Sequence, residues 1–74
     1  MYDFDWVDEL NDKQKIEGIL DWADDSSDAD KFDPSYVERL SYLYFDRQVE
    51  LTDKQAVALT NIIKKWHIDK EYFA

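Results

Sequence analysis

Seventy-four residues make one domain, 1–74, close to the lower size at which a single core holds without staples, and the lack of cysteine excludes a disulfide frame and a thiolate metal site. Three Trp, five Tyr and four Phe supply a large apolar payload that argues against disorder, while one Gly and one Pro favour helices with short polar connections over a turn-rich sheet. The net charge of −9 sits in the first half: residues 1–33 hold twelve acids against three Lys, and residues 34–74 hold six acids against six Lys/Arg.

Such a surface repels phosphate at long range, so any affinity for nucleic acid has to be local to the C-terminal half. Solubility alone accounts for the acids equally well. No apolar run reaches membrane-spanning length, and the start MYDFDW has neither the basic residues nor the apolar stretch of a signal peptide. The expectation is a soluble protein of the cytoplasm.

In chain order, residues 3–10 are the first helical candidate, with Phe4, Val7 and Leu10 on one face, and packing must hold so short a segment. Trp6 falls off that stripe and is expected to cover a neighbouring helix with its indole N–H near water. Asn11 caps the second helix through Gln14, and Ile16, Ile19, Leu20 and Ala23 follow at helical spacing. Gly18 inside that helix predicts the close approach of a neighbouring backbone or ring. Residues 24–31, DDSSDADK, read as an irregular acidic loop. Asp24, Ser26, Asp28 and Asp30 alternate like early calcium ligands, but Ala29 stands where the loop needs glycine and Ser35 where it needs a bidentate Glu. No metal is expected.

Asp33 and Pro34 open the third helix as cap and first helical residue. Its two overlapping stripes, Val37, Leu40, Tyr44 and Tyr36, Leu40, Leu43, give a wide apolar face and mark it as the central helix. At least one of Tyr42, Tyr44 and Phe45 must stay exposed. A tight turn near 48–50 then leads to the most legible stretch, LTDKQAVALTNIIKKW at 51–66. Thr52 and Gln55 form a capping box, Asp53 and the pair Lys64, Lys65 suit the helix dipole, and Ala56, Leu59, Ile62, Ile63 and Trp66 make the core stripe. The start ELTDKQ echoes ELNDKQ at 9–14, the same helix-starting device used twice. Residues 69–73 are expected to fold Tyr72 and Phe73 back on the core.

No residue set reaches a catalytic signature. His67 is the single histidine, without a convergent partner, and reads as a helix-end cation. The chain is therefore read as non-enzymatic, with neither cofactor nor small-molecule substrate. Two surfaces remain. Lys54, Lys64, Lys65, Trp66, His67 and Lys70 pair cations with an aromatic, a combination that holds phosphate and stacks a base, giving weak, salt-sensitive binding. Opposed to it, Asp3, Asp5, Asp8, Asp12, Asp21, Asp24, Asp25 and Asp28 could imitate a nucleic-acid backbone and dock on a basic protein, with Asp21, Asp24, Asp25 and Asp28 as the main partner-binding candidates.

The run DWVDELNDKQKIEGILDWADD, the Pro-started helix and LTDKQAVALTNIIKKW together resemble the small companion proteins encoded beside the UvsW helicase of T-even phages. That resemblance implies a four-helix bundle similar to the HRDC module of RecQ helicases, at work near DNA recombination, replication and repair in a phage-infected cell. The departure is charge, since such modules present a basic face and this chain offers only its C-terminal lysines. Contact with a helicase or recombination protein is then an equal route to that role. The expected architecture is all-α, a small four-helix, HRDC-like bundle with helices at 5–9, 12–23, 34–47 and 53–67.

Overall fold

The computed structural model describes residues 4–73, with the side chain of Asp28 left aside. The described chain is all-helical, with three α-helices: α1 (Asp12–Asp25), α2 (Ser35–Ser41) and α3 (Asp53–Lys65). Short 3-10 segments at Asp5–Glu9, Ser27–Lys31 and Lys70–Phe73, and a π-turn at Tyr42–Asp46, complete it. The expected first helix at 5–9 is thus a 3-10 segment, closed by the Val7 N–H to Phe4 C=O (2.9 Å) and Leu10 N–H to Val7 C=O (3.1 Å) bonds. Five residues are too few to propagate an α-helix, whose nucleus costs more than one bond returns.

Both capping boxes form. Asn11 Oδ1 accepts from the Gln14 amide at 2.8 Å and Gln14 Oε1 from the Asn11 amide at 2.9 Å. Thr52 Oγ1 and Gln55 Oε1 repeat the exchange at 3.2 and 2.9 Å. The ELNDKQ/ELTDKQ echo is therefore one local solution serving two helices. α2 starts at Ser35 with Pro34, not Asp33, at the N-cap, but Asp33 Oδ1 accepts from the Ser35 amide (3.0 Å) and hydroxyl (2.6 Å) just before the helix, and these bonds hold its carboxyl below the ordinary aspartate range.

The acidic segment is more ordered than its composition suggests. α1 runs on to Asp25, and Ser27–Lys31 forms a 3-10 turn that buries Ala29. Ala29 and the half-buried Phe32 are three apart, which places both on the inner side of that turn. The irregular-loop expectation for 24–31 fails because these two apolar residues anchor it.

The core joins Val7, Ile16, Ile19, Trp22, Val37, Leu40, Leu59, Ile63, Ile68 and Phe73. α1 is its hub, packing against α2, α3, the Ser27–Lys31 turn and the C-terminal 3-10 turn. This displaces the Pro-started helix from the central place its wide apolar face implied. Tyr36, expected on an inward stripe, is 43% exposed, and Tyr42 is 51% exposed. α2 is only seven residues long and turns directly into the π-turn, so the register of one long helix over 34–47 does not hold. The π-turn is closed by the Arg47 N–H to Tyr42 C=O bond (3.1 Å), and Gln48 (φ 54°) then reverses the chain without glycine.

α3 buries Leu59 and Ile63 as its stripe predicts. It ends in a Schellman motif. The Ile68 N–H bonds the Ile63 C=O at 3.1 Å and the His67 N–H approaches the Lys64 C=O at 3.4 Å, with His67 left-handed at φ 49°. Ile63 and Ile68 are both fully buried, the apolar contact that accompanies this cap. Ile68 thereby enters the core although the helical pattern stops before it. Among the described residues no helix is long and apolar enough to cross a membrane.

Candidate functional site

Trp22, in the last turn of α1, lies 5.7 Å from Trp66 at the end of α3, and Phe32 sits 5.3 Å from Trp22 and 5.5 Å from Trp66. This aromatic triangle draws the C-terminal ends of α1 and α3 together. It is why the lysine-rich end of α3 and the acid-rich end of α1 share one end of the molecule.

On the cationic side, Lys64, Lys65, His67 and Lys70 are exposed and follow one another past the end of α3. Lys54 does not join them. It stands in the first turn of α3, roughly 15 Å away along the helix from Lys64 at 1.5 Å per residue. Trp66 is half-buried, its ring held by Trp22 and Phe32, with Lys65 Nζ 6.0 Å from its centroid, the outer limit of a cation–π contact. A base stacking on Trp66 would have to displace that ammonium. His67 is set against Phe4 at 5.6 Å between ring centroids.

On the acidic side, Asp21, Asp24 and Asp25 project from the last turns of α1, all exposed, where α1 carries no basic residue. The position is unfavourable twice over. A helix C-terminus carries partial negative charge, and carboxylates three and four residues apart repel one another. Among the described residues no ion pair relieves any of the three; the Lys13–Glu17 pair (3.9 Å) lies two turns earlier. Asp25 is nonetheless engaged, because Oδ2 accepts the Tyr72 hydroxyl at 2.9 Å, and this bond holds the phenol's ionisation above the ordinary tyrosine range. Asp5, Asp8 and Asp12 belong to the other end of α1 and the segment before it. Asp3 and the side chain of Asp28 lie outside the described residues.

Tyr72 and Phe73 fold back on the core as the sequence predicts, but the bond from Tyr72 to Asp25 and the place of Phe32 were not foreseen. No local signal announces a bond between residues 47 apart, whereas the Ala29/Phe32 spacing of three, had it been weighed against the acids around it, pointed to a helical turn. Among the described residues no group of His, Cys, Asp or Glu could hold a metal ion. A half-open cleft of about 230 Å³ lined by Trp6, Glu9, Leu10, Gln14, Lys70 and Phe73, and a shallower one of about 260 Å³ beside Tyr44, Gln48, Val49 and Glu50, are both smaller than usual small-molecule pockets. Compared with family models, with curated proteins and with solved structures, the chain matches none.

Proposed function

We propose that this chain is a non-enzymatic accessory protein that docks its acidic end, Asp21, Asp24, Asp25 and the neighbouring Asp28, on a basic surface of a larger protein. A helicase or recombination protein in the cytoplasm of a phage-infected cell is the partner implied by the UvsW-companion resemblance. The four-helix, HRDC-like arrangement belongs to the same proposal, with the Asp5–Glu9 segment standing for the first helix. One observation carries the reading: three carboxylates are kept where the dipole of α1 and their own repulsion disfavour them, with no basic residue in the last turn of that helix. Positions that break a local rule at a cost in stability are where function is expected.

A second reading rests on its own observation. Lys64, Lys65 and His67 are exposed at the end of α3, with the Lys65 ammonium 6.0 Å from the Trp66 ring, while Lys70, also exposed, lies on the cleft beside Glu9 and Gln14. That is a footprint for a short single strand. The adjacent carboxylates of α1 work against it, since they lie at the same end as the lysines and oppose phosphate at short range.

Backbone amide shift mapping separates the two. A Lys/Arg-rich peptide at low salt should perturb amides of residues 21–31, with the effect fading as salt rises. A single-stranded oligonucleotide should leave them unmoved. Perturbation of residues 62–70 by the oligonucleotide, with none at 21–31 by the peptide, would reverse the order of the two readings.

A further inference from the structure

The chain's one glycine stands in the middle of α1, where it costs up to about 1 kcal/mol relative to alanine. Its neighbour explains the choice. A Cβ on Gly18 would fall within the ring of Phe73, so that ring rests directly on bare helix backbone. Trp6 closes over the same ring at 5.4 Å between centroids. One residue earlier, Tyr72 donates its hydroxyl to Asp25. The C-terminal strap, Asp69 Oδ1 with its bond to the Glu71 amide (3.0 Å) and the Lys70–Phe73 turn, is thus fastened to α1 at two points, Gly18 and Asp25. Roughly 10 Å of helix separates them at 1.5 Å per residue. Between strap and body runs the cleft of about 230 Å³, with Lys70 and Phe73 on one wall and Trp6, Leu10 and Gln14 on the other. The seam is therefore partly open.

We propose that this strap is a charge-sensitive latch, which lifts from α1 as a unit when negative charge is placed on the Tyr72 oxygen and leaves the three α-helices folded. The groups facing that oxygen are Asp25 from α1 and Asp69 and Glu71 from the strap's own segment, all carboxylates. A neutral phenol satisfies Asp25 as a donor. A charged oxygen loses that bond and meets three like charges, which leaves Phe73 to hold the segment beyond the buried Ile68 against α1. The linkage has a definite sign. Because the folded-state ionisation of Tyr72 is raised, the fastening is complete below the unfolded-chain tyrosine range and is lost as pH climbs through the raised value. Lifting uncovers Phe73 and Trp6 and releases Asp25, whether or not the acidic end binds a partner.

The Gly18 Hα resonances report the latch directly, because the Phe73 ring current displaces them only while the ring is seated. Tyr72→Glu at neutral pH should return them to the ordinary glycine range, with the Trp22–Trp66 contacts and the helical ellipticity retained. The wild-type chain should do the same as alkali ionises Tyr72, and Tyr72→Phe should not. Unmoved Gly18 resonances in Tyr72→Glu would overturn the latch, as would equal alkaline release in Tyr72→Phe, or loss of the Trp22–Trp66 contacts at the same pH as the Gly18 shift. If Tyr72→Glu does not fold, the alkaline comparison between wild type and Tyr72→Phe decides.

Discussion

Leu59→Ala is expected to lower the unfolding free energy by about 3 kcal/mol, the middle of the range for emptying a sealed leucine site. Leu59 is fully buried on α3, with Ile63 one turn on and α1 opposite. The short α2 and the 3-10 segments have little regular structure of their own with which to close the void. A chain of this length holds roughly 4–11 kcal/mol in total at 0.05–0.15 kcal/mol per residue, so one cavity removes a large share. Thermal unfolding followed by circular dichroism should show a midpoint lower by about 15 °C, given some 4–8 °C per kcal/mol for so small a domain. Val57→Ala, on the outer face of the same helix with Val57 56% exposed, should change it by only a few tenths of a kcal/mol. Equal losses at the two positions would mean that the stripe does not face a core.

The second large effect has the opposite sign to its helix propensity. Gly18→Ala would stabilise an isolated helix by about 1 kcal/mol. Here the methyl group occupies the place of the Phe73 ring, and the ring must leave. Unseating a phenylalanine forfeits about 3 kcal/mol, so the net loss is about 2 kcal/mol, measured by urea unfolding. The loss should be no larger in Gly18→Val than the full undocking of the strap permits, because once Phe73 has left, the added bulk meets only solvent. A stabilised Gly18→Ala would show that Phe73 sits elsewhere.

These two positions also mark what the sequence could and could not disclose. The caps of α1 and α3 were legible because a capping box is a local pattern, Asn11 with Gln14 and Thr52 with Gln55, and its bonds form within four residues. The α3 stripe was legible because thirteen residues sample its period several times. Gly18 announced a close neighbour, yet only the fold identifies it as Phe73. Less could be read where the structure uses unusual backbone without its usual residue. Gln48 and His67 both take a left-handed conformation that glycine normally signals, so neither helix end carries its punctuation mark. The π-turn at Tyr42–Asp46 shifts the side-chain register within a run that reads as continuous helix, and Tyr36, in the first turn of α2, lies at the outer edge of the face that buries Val37 and Leu40. Of the two candidate surfaces, the grouping of Lys64, Lys65 and His67 follows from chain position, but the approach of the end of α3 to the last turn of α1 depends on the Trp22–Trp66 contact between distant helices.

The carboxylates at the end of α1 give the sharpest test. If the carboxylates at the end of α1 are held there for a basic partner at the expense of the helix, stability and binding must respond in opposite directions to their removal. The double variant Asp21→Asn/Asp24→Asn leaves the Tyr72–Asp25 bond untouched and relieves both the dipole clash and the repulsion. Its unfolding free energy should rise by about 1 kcal/mol, while its affinity for a Lys/Arg-rich peptide at low salt should fall several-fold. A variant that is no more stable than the parent, or that binds the peptide as tightly, would contradict the account.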